Sequence, residues 1–390
     1  MAQLELSRRG LLKQGGATVA GLSVLRIAGP THAFQTPVTG TGEVIPWLDQ
    51  PDPNPVPEVI VQQLDWEQLD SWITPANNFF VIKHYNEPAL ADSDYKLEIS
   101  GLVENPLTLT LADLKGRERQ EVTFTMECSG NTGLPFFIGG VGNATWGGTP
   151  LASLLDEAGV LDEGIEVVFW GADAGEQVWR DEITITEQFA RSMSLADAMA
   201  PENLLVYEMN GEELPNLHGY PIRLIAPGWY GVANVKWLTR IEIIDRRYQG
   251  HFMARDYVTI REEERGGETV WTMTSVTHDR LKSAPAKVTH SDGQYHVMGA
   301  AWGAPIGGVD VRIDDGDWQP ATLTEGEGSE SAWAFWTFDW GMPDPGEHTV
   351  TSRAMDVDGN VQPAPDDPLL AGKATYWESN GHITRRINIA

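Results

Sequence analysis

The chain has one cysteine, Cys128, in the segment Thr125-Met126-Glu127-Cys128-Ser129-Gly130-Asn131-Thr132-Gly133, where a strand-like pattern gives way to small, turn-forming residues. Such a turn bares a side chain and lets another backbone or a ligand approach closely. A thiolate there can ligate a metal, or it can act as a nucleophile if a base or a positive charge lowers its pKa. It can also be an inert buried residue, and having no second cysteine it cannot form an internal disulfide. The first histidine downstream is His218, ninety residues on, so no base is supplied locally.

A second group of chemically able residues lies around that histidine. His218-Gly219-Tyr220-Pro221-Ile222-Arg223 is followed by Pro227-Gly228-Trp229-Tyr230-Gly231-Val232-Ala233-Asn234-Val235-Lys236-Trp237, which puts a histidine, an arginine and a lysine within nineteen residues. Cations beside the exposed amides of a glycine-bearing loop suit a phosphate-bearing ligand rich in heteroatoms. Singly, such a lysine or arginine is more often a solvated surface charge.

These groups need a scaffold. Tyr95 to Gly101 alternates like a strand and ends in a glycine turn, and Glu121 to Met126 is a strand leading into the cysteine. Glu166 to Trp170, Leu204 to Met209 and Ile222 to Ala226 are further strands, and Leu109 to Leu114 is a short helix. Thr149-Pro150-Leu151 predicts a helix start with a threonine cap and a proline at the first position, closed by Gly159. Strands and helices mix without regular βαβ alternation, so the fold class is α+β. Beyond residue 258 the stretches Val309 to Ile313, Ala334 to Trp340 and His348 to Ala354 alternate between turns such as Asp315-Gly316, Pro345-Gly346 and Asp358-Gly359, the pattern of an antiparallel β-sandwich.

At 390 residues the chain has room for two domains. The predicted organisation is an export signal over 1–33, a proline-rich linker or arm over 34–57, a first domain over 58–257 and the sandwich over 258–390. The signal reading rests on Ser7-Arg8-Arg9-Gly10-Leu11-Leu12-Lys13, an apolar run from Gly15 to Ala28, and Ala33 as a small residue for cleavage. Paired arginines point to the Tat route and an extracytoplasmic, periplasmic location. No later run of 18 apolar residues occurs, so no membrane span is expected. A formal charge of −29 opposes extended contact with nucleic acid or an anionic membrane. It fits either a salty habitat or a basic docking partner.

Taken together, the Cys128 turn, Gly142-Asn143-Ala144-Thr145-Trp146-Gly147-Gly148-Thr149-Pro150-Leu151, Tyr207-Glu208-Met209-Asn210-Gly211, the His218–Arg223 stretch and the Pro227–Trp237 stretch resemble the sulfite oxidase family of molybdenum enzymes. The resemblance covers nearly the whole chain after the signal. It implies a molybdopterin domain followed by an immunoglobulin-like dimerisation domain, hence a homodimer, with a pterin dithiolene holding molybdenum and Cys128 as the protein ligand. Phe80-Val81-Ile82-Lys83-His84 resembles the first cofactor-binding strand, with His84 on the pterin. Asp173 matches an acidic cofactor contact. His218, Arg223 and the Asn234-Val235-Lys236 trio match the binders of the pterin and its phosphate, and Tyr257 matches the tyrosine beside the metal. The cofactor carries the redox chemistry, while the protein orients and tunes it.

The chain departs from the family pattern at the substrate. Three arginines that bind the anionic substrate in sulfite oxidases correspond here to Ile82, Gly133 and Asn380. Lys83, Arg255, Arg385 and Arg386 are possible substitutes, and Phe136, Phe137, Trp229 and Tyr230 are aromatics for either a less polar pocket or the core. No haem-binding motif occurs, so electrons are expected to pass to a separate carrier, a c-type cytochrome. The expected activity is oxygen-atom transfer to sulfite or a related small sulfur compound. The alternatives are reduction of an S-oxide or N-oxide such as methionine sulfoxide, and a non-enzymatic binding protein with a degenerate cofactor site.

Overall fold

The computed structural model describes residues 42–180, 182–326 and 329–390; the expected signal, residues 1–33, lies outside them. Two sheets form the first part of the chain. In one, the strands Glu212–Glu213, Leu204–Met209, Val141–Pro150 and Gln120–Glu127 lie side by side in that order, and Arg223–Ile225 also pairs with Leu204–Met209. In the other the order is Leu107–Thr110, Lys96–Gly101, Leu238–Ile244, Glu166–Trp179, Ile183–Ser194. Lys96–Gly101 and Leu238–Ile244 run parallel. Helices are few and short. Helix Leu151–Ala158 buries Leu151, Leu154, Leu155 and Ala158 on one face. Each buried leucine there contributes about 1.5–3 kcal/mol.

That helix begins differently from the expectation. Thr149 lies within the preceding strand, which runs to Pro150; it pairs with Leu205, and its hydroxyl donates to the Leu114 carbonyl (2.9 Å) instead of capping. Gly159 closes the helix as expected, with a left-handed φ of 68°. The strand expected over Glu166 to Trp170 is the base of a longer hairpin, Glu166–Trp179 with Ile183–Ser194, whose register shifts between Trp170 and Ala174.

The second part is a sandwich of two antiparallel sheets. One orders Glu43–Ile45, Lys282–Ser291, Gln294–Trp302, Ala334–Gly341 and Thr322–Glu325, and the other Gln319–Pro320, Ile306–Ile313, Gly346–Asp356 and Ile383–Ile389. Val288, Val297, Ala301 and Trp336 from the first meet Val309, Val311, Val350 and Ile387 from the second. Glu43–Ile45, from the segment expected as linker or arm, is an edge strand here, and Trp47 is buried in the sandwich core. The two parts are α+β and β-sandwich, as the sequence pattern indicates. Between them packs a cluster of Leu64, Trp66, Val141, Met298, Trp302, Trp333 and Phe335. The cysteine strand itself is bonded across this boundary: Thr125 N–H donates to Ser331 O (3.0 Å), and Trp333 N–H to Thr125 Oγ1 (2.7 Å). No helix among the described residues is long and apolar enough to cross a membrane.

Candidate active site

Cys128 follows directly on strand Gln120–Glu127, its N–H donating to Gly140 O (2.8 Å), and the chain then turns so that Asn131 N–H reaches the Cys128 carbonyl (2.9 Å). The thiol faces a pocket also lined by Phe80, Val81, Ile82, His84, Asp173, Phe189, Leu217, His218, Arg223, Val232, Asn234, Lys236 and Tyr257. Different elements deliver these groups. The short strand Val81–Ile82, paired with Ile60–Gln62, carries Phe80 and His84 at its two ends. The register shift in the long hairpin re-aims the chain, and Asp173 projects from it into the pocket. The turn Asn216–His218 ends at Gly219, whose φ of 111° and close approach to Lys236 (2.9 Å from a would-be Cβ) leave no room for a side chain.

The electrostatics of the pocket floor are unusual. Arg223 is buried, donating only to Asn234 O and His218 O (3.2 Å each) and to the Met126 sulfur (3.2 Å), with its guanidinium over the Trp146 ring. Lys236 Nζ donates only to the carbonyls of Ile82 (3.0 Å) and Leu217 (3.2 Å). Among the described residues neither cation has a carboxylate within ion-pair distance. Asp173 is buried, with an Oδ1 that has no hydrogen-bond partner. Burial raises its pKa and lowers that of Lys236, each opposing the other's shift by attraction. Desolvation lowers Arg223 to about 9. Unpaired buried charge costs several kcal/mol, so this arrangement is built for an anionic, polar guest.

The histidines are neutral. His218 is lowered to about 4 by burial; its Nε2–H donates to Ala76 O (2.8 Å), leaving Nδ1 as an acceptor. Burial, then the Lys236 cation, hold His84 well below its ordinary value. His84 Nε2 shares a 2.7 Å hydrogen bond with Tyr257 Oη, and its ring stacks on Phe189. Tyr257 adopts a left-handed φ of 57°, an outlier for an aromatic residue of the kind that clusters at functional sites. Burial, with Cys128 as the next cause, keeps its phenol protonated. The Cys128 thiol is pushed up to about 12 by burial. A thiol held protonated is a poor nucleophile, whereas metal coordination deprotonates it outright.

Cys128, Tyr257, Phe80, His84, Asp173, His218, Arg223, Asn234 and Lys236 thus line one pocket. Lys83 does not join them: its ammonium turns to Glu87 (3.6 Å). Val235 is a core residue, buried against the helix-bearing sheet. Asn234 reaches the pocket wall, but its amide is spent on the loop, accepting from Ala226 N–H (2.8 Å) and donating to the Trp229 and Tyr230 carbonyls. Phe189, Leu217, Val232 and Arg191 were not singled out in the sequence. Arg191 is fully buried behind Tyr257 and His84, donating to the carbonyls of Phe252 and Val276. Its signal is a charge inside the apolar run Phe189 to Met193.

None of the possible substitutes for the missing arginines enters the pocket. Arg255 lies over the Trp179 ring (3.4 Å), Arg385 pairs with Asp49 (3.1 Å) and Arg386 with Glu347 (2.5 Å). Gly133 cannot be an arginine in this backbone, because Tyr376 O lies 2.2 Å from the position of its Cβ. Tyr376 and Trp377 instead stand against the cysteine turn at Gly130, and Trp377 stacks on Tyr257 (4.3 Å). Phe137, Trp229 and Tyr230 are core residues, and Phe136 packs at the core's edge.

This geometry agrees with comparison to known proteins. A model of the oxidoreductase molybdopterin binding domain matches residues 84–252, and one of the Mo-co oxidoreductase dimerisation domain matches 270–379. The sulfite oxidase of Gallus gallus is 31% identical, covering 79% of this chain and 72% of its own. The chain belongs to the sulfite oxidase family. Mitochondrial sulfite oxidase of Drosophila melanogaster is 33% identical over 75% of the chain. The chain spans 56% of the length of that relative and 59% of the human one. The crystal structure of the sulfane dehydrogenase SoxCD from Paracoccus pantotrophus superposes with a TM-score of 0.73 at 28% identity, covering 94% of this chain and 96% of that one. The cofactor of this family member is therefore molybdopterin-bound molybdenum. The residues present fit it: two buried cations without carboxylate partners and a partnerless carboxylate oxygen surround the space that an anionic, nitrogen-rich pterin would fill.

Proposed function

We propose that the protein is an exported molybdenum oxidoreductase that oxidises sulfite or a related small sulfur compound and hands the electrons to a separate basic carrier of the c-type cytochrome kind. Per turnover a substrate sulfur gains one oxygen from water, releasing two protons and two electrons. When bound, the cofactor supplies the oxygen-atom transfer and the two-electron change. Cys128 would hold the metal, Lys236 and Arg223 the phosphate and pterin charge, and Asp173 and His218 the pterin nitrogens. Tyr257, fixed by His84, donates or accepts a hydrogen bond at the substrate while staying protonated.

The observation that carries this reading is the buried, carboxylate-free cation pair Arg223 and Lys236 facing the same pocket as Cys128. The uncharged wall of Ile82 and Tyr257, with Trp377 stacked on Tyr257, favours a sulfur substrate of low charge over a doubly charged one. Sulfane sulfur, named for the Paracoccus protein, belongs to that class. The same wall favours the second reading, reduction of a neutral S-oxide. Assays on the cofactor-loaded protein decide between them. Oxidation of sulfite, thiosulfate or a persulfide with an artificial acceptor is expected. Sulfoxide reduction by a reduced dye, with no oxidation of any sulfur compound, would reverse the assignment. Recovery of the mature chain from a periplasmic fraction, beginning after residue 33, is the expected sign of Tat export, and gel filtration at twice the chain mass that of a homodimer.

A further inference from the structure

The residue before Cys128 carries a charge that the reading above leaves unused. Side chains alternate along an extended strand, so with the thiol facing the pocket, Glu127 faces the opposite way, into the β-sandwich. There its Oε1 meets Lys282 Nζ at 2.5 Å, and neither side chain is more than 1% exposed. The carboxylate is saturated: Asn131 Nδ2 donates to Oε1 (2.9 Å) and Trp302 Nε1 to Oε2 (2.9 Å). Asn131 also accepts the Gly140 N–H through Oδ1 (2.9 Å), while Gly140 O accepts the Cys128 N–H (2.8 Å). Lys282 goes on to Thr132 Oγ1 (3.2 Å), beyond the turn. Lys282 and Trp302 are the paired ends of adjacent sandwich strands, and Trp302 is packed in the cluster that joins the two parts.

We infer that the buried Glu127–Lys282 pair is a positioning device for the metal ligand, by which the C-terminal domain sets the place and the electrostatic surroundings of the Cys128 sulfur. Two facts carry this further than a simple weld. The hydrogen bonds run through Asn131 to both sides of Cys128, so moving Glu127 moves the turn that holds the thiol. The pair is also neutral as a whole and sits one residue from the sulfur, so removing either half leaves a full charge of known sign next to it, in a medium where charges act strongly. The inference rests on Cys128 being the molybdenum ligand.

The test uses the purified holoenzyme and three substitutions, Glu127→Gln, Lys282→Met and the two combined, read by molybdenum content, the Mo(V) electron paramagnetic resonance spectrum and the molybdenum midpoint potential. Outer contacts of a metal ligand are worth about 10–100-fold in metal affinity or activity, and each single substitution is expected to lose molybdenum on that scale and to alter the Mo(V) spectrum. The potential should rise in Glu127→Gln, where an unmatched cation remains, fall in Lys282→Met, and return towards wild type in the double variant. Single variants that unfold more easily yet keep wild-type molybdenum content, spectrum and potential would reduce the pair to a domain weld and overturn the inference. If the charge variants do not fold, Trp302→Phe removes only the bond to Oε2 and keeps the ring; a shifted spectrum supports the inference and an unchanged one overturns it. Cys128→Ser is run beside them. A wild-type spectrum in that protein would refute the ligand assignment itself, a different failure from silence at Glu127 and Lys282.

Discussion

Buried cations stand on both sides of the strand that ends at Cys128, and the two sides hold them differently. On the floor, Arg223 and Lys236 donate to carbonyls and a sulfur and, among the described residues, have no carboxylate within ion-pair distance. On the side of the β-sandwich, buried Lys282 is matched to Glu127 (2.5 Å) and buried Arg261 to Glu378 (4.0 Å). The same residue types serve two purposes. A cation paired within the protein is scaffold, while an unpaired one that lines the pocket, unlike Arg191 behind it, carries a cost that a bound anion offsets. The difference separates the cations that line the pocket from the one that ties the cysteine strand to the sandwich.

The comparison breaks most sharply at the thiol. Cys128→Ser should lower turnover more than about hundredfold, beyond the range for outer contacts, with an unchanged circular dichroism spectrum; steady-state assays check it. Next come the floor cations. Lys236→Met should cost about 10–100-fold in cofactor retention, measured by molybdenum and pterin content after gel filtration. In the cofactor-free protein the same change should stabilise, because it removes a buried cation that has no ion pair among the described residues. Lys282→Met should destabilise the cofactor-free protein by about 3–5 kcal/mol, since it strands Glu127. Opposite signs for these two lysines in urea unfolding are the expected result, and equal signs would dissolve the distinction.

A smaller effect concerns pH. His218 titrates at about 4 when folded, through burial, against an ordinary 6.5. The unfolded chain therefore takes the proton first, and as pH falls from 6.5 towards 4 this group removes about 1.4 kcal/mol of stability per unit. Above pH 6.5 it contributes no slope. Unfolding midpoints of wild type and His218→Gln between pH 4 and 7 should converge as the pH falls. Smallest of all, Arg255→Ala should change the catalytic parameters by less than about twofold, because this arginine stacks on Trp179 outside the pocket.

Much of this was visible in the sequence where a single residue type is diagnostic. A lone cysteine at a strand–turn junction and a histidine, arginine and lysine around glycine loops can be read locally. The strands of the first sheet and the sandwich follow from alternation. The rest depends on pairings across the chain. The hairpin beyond Trp170 leaves Val178, Ile183 and Ile185 exposed, so no buried face marks it in the sequence, and its bulge at Asp173 was not legible. Thr149 looked like a cap because nothing in the sequence reveals that its hydroxyl is claimed by Leu114. Asn234, Val235 and Lys236 are consecutive, yet only Lys236 brings a charged group to the pocket, a distinction set by the loop's own hydrogen bonds. Glu127 and Lys282 are 155 positions apart, so their union is a property of the fold alone.

The most direct test of the central claim is the molybdenum and pterin content of the protein purified from a host that makes the cofactor. About one molybdenum and one pterin per chain are expected, and markedly less metal in Cys128→Ser. Wild-type protein that folds normally but carries less than about 0.1 molybdenum per chain would contradict it.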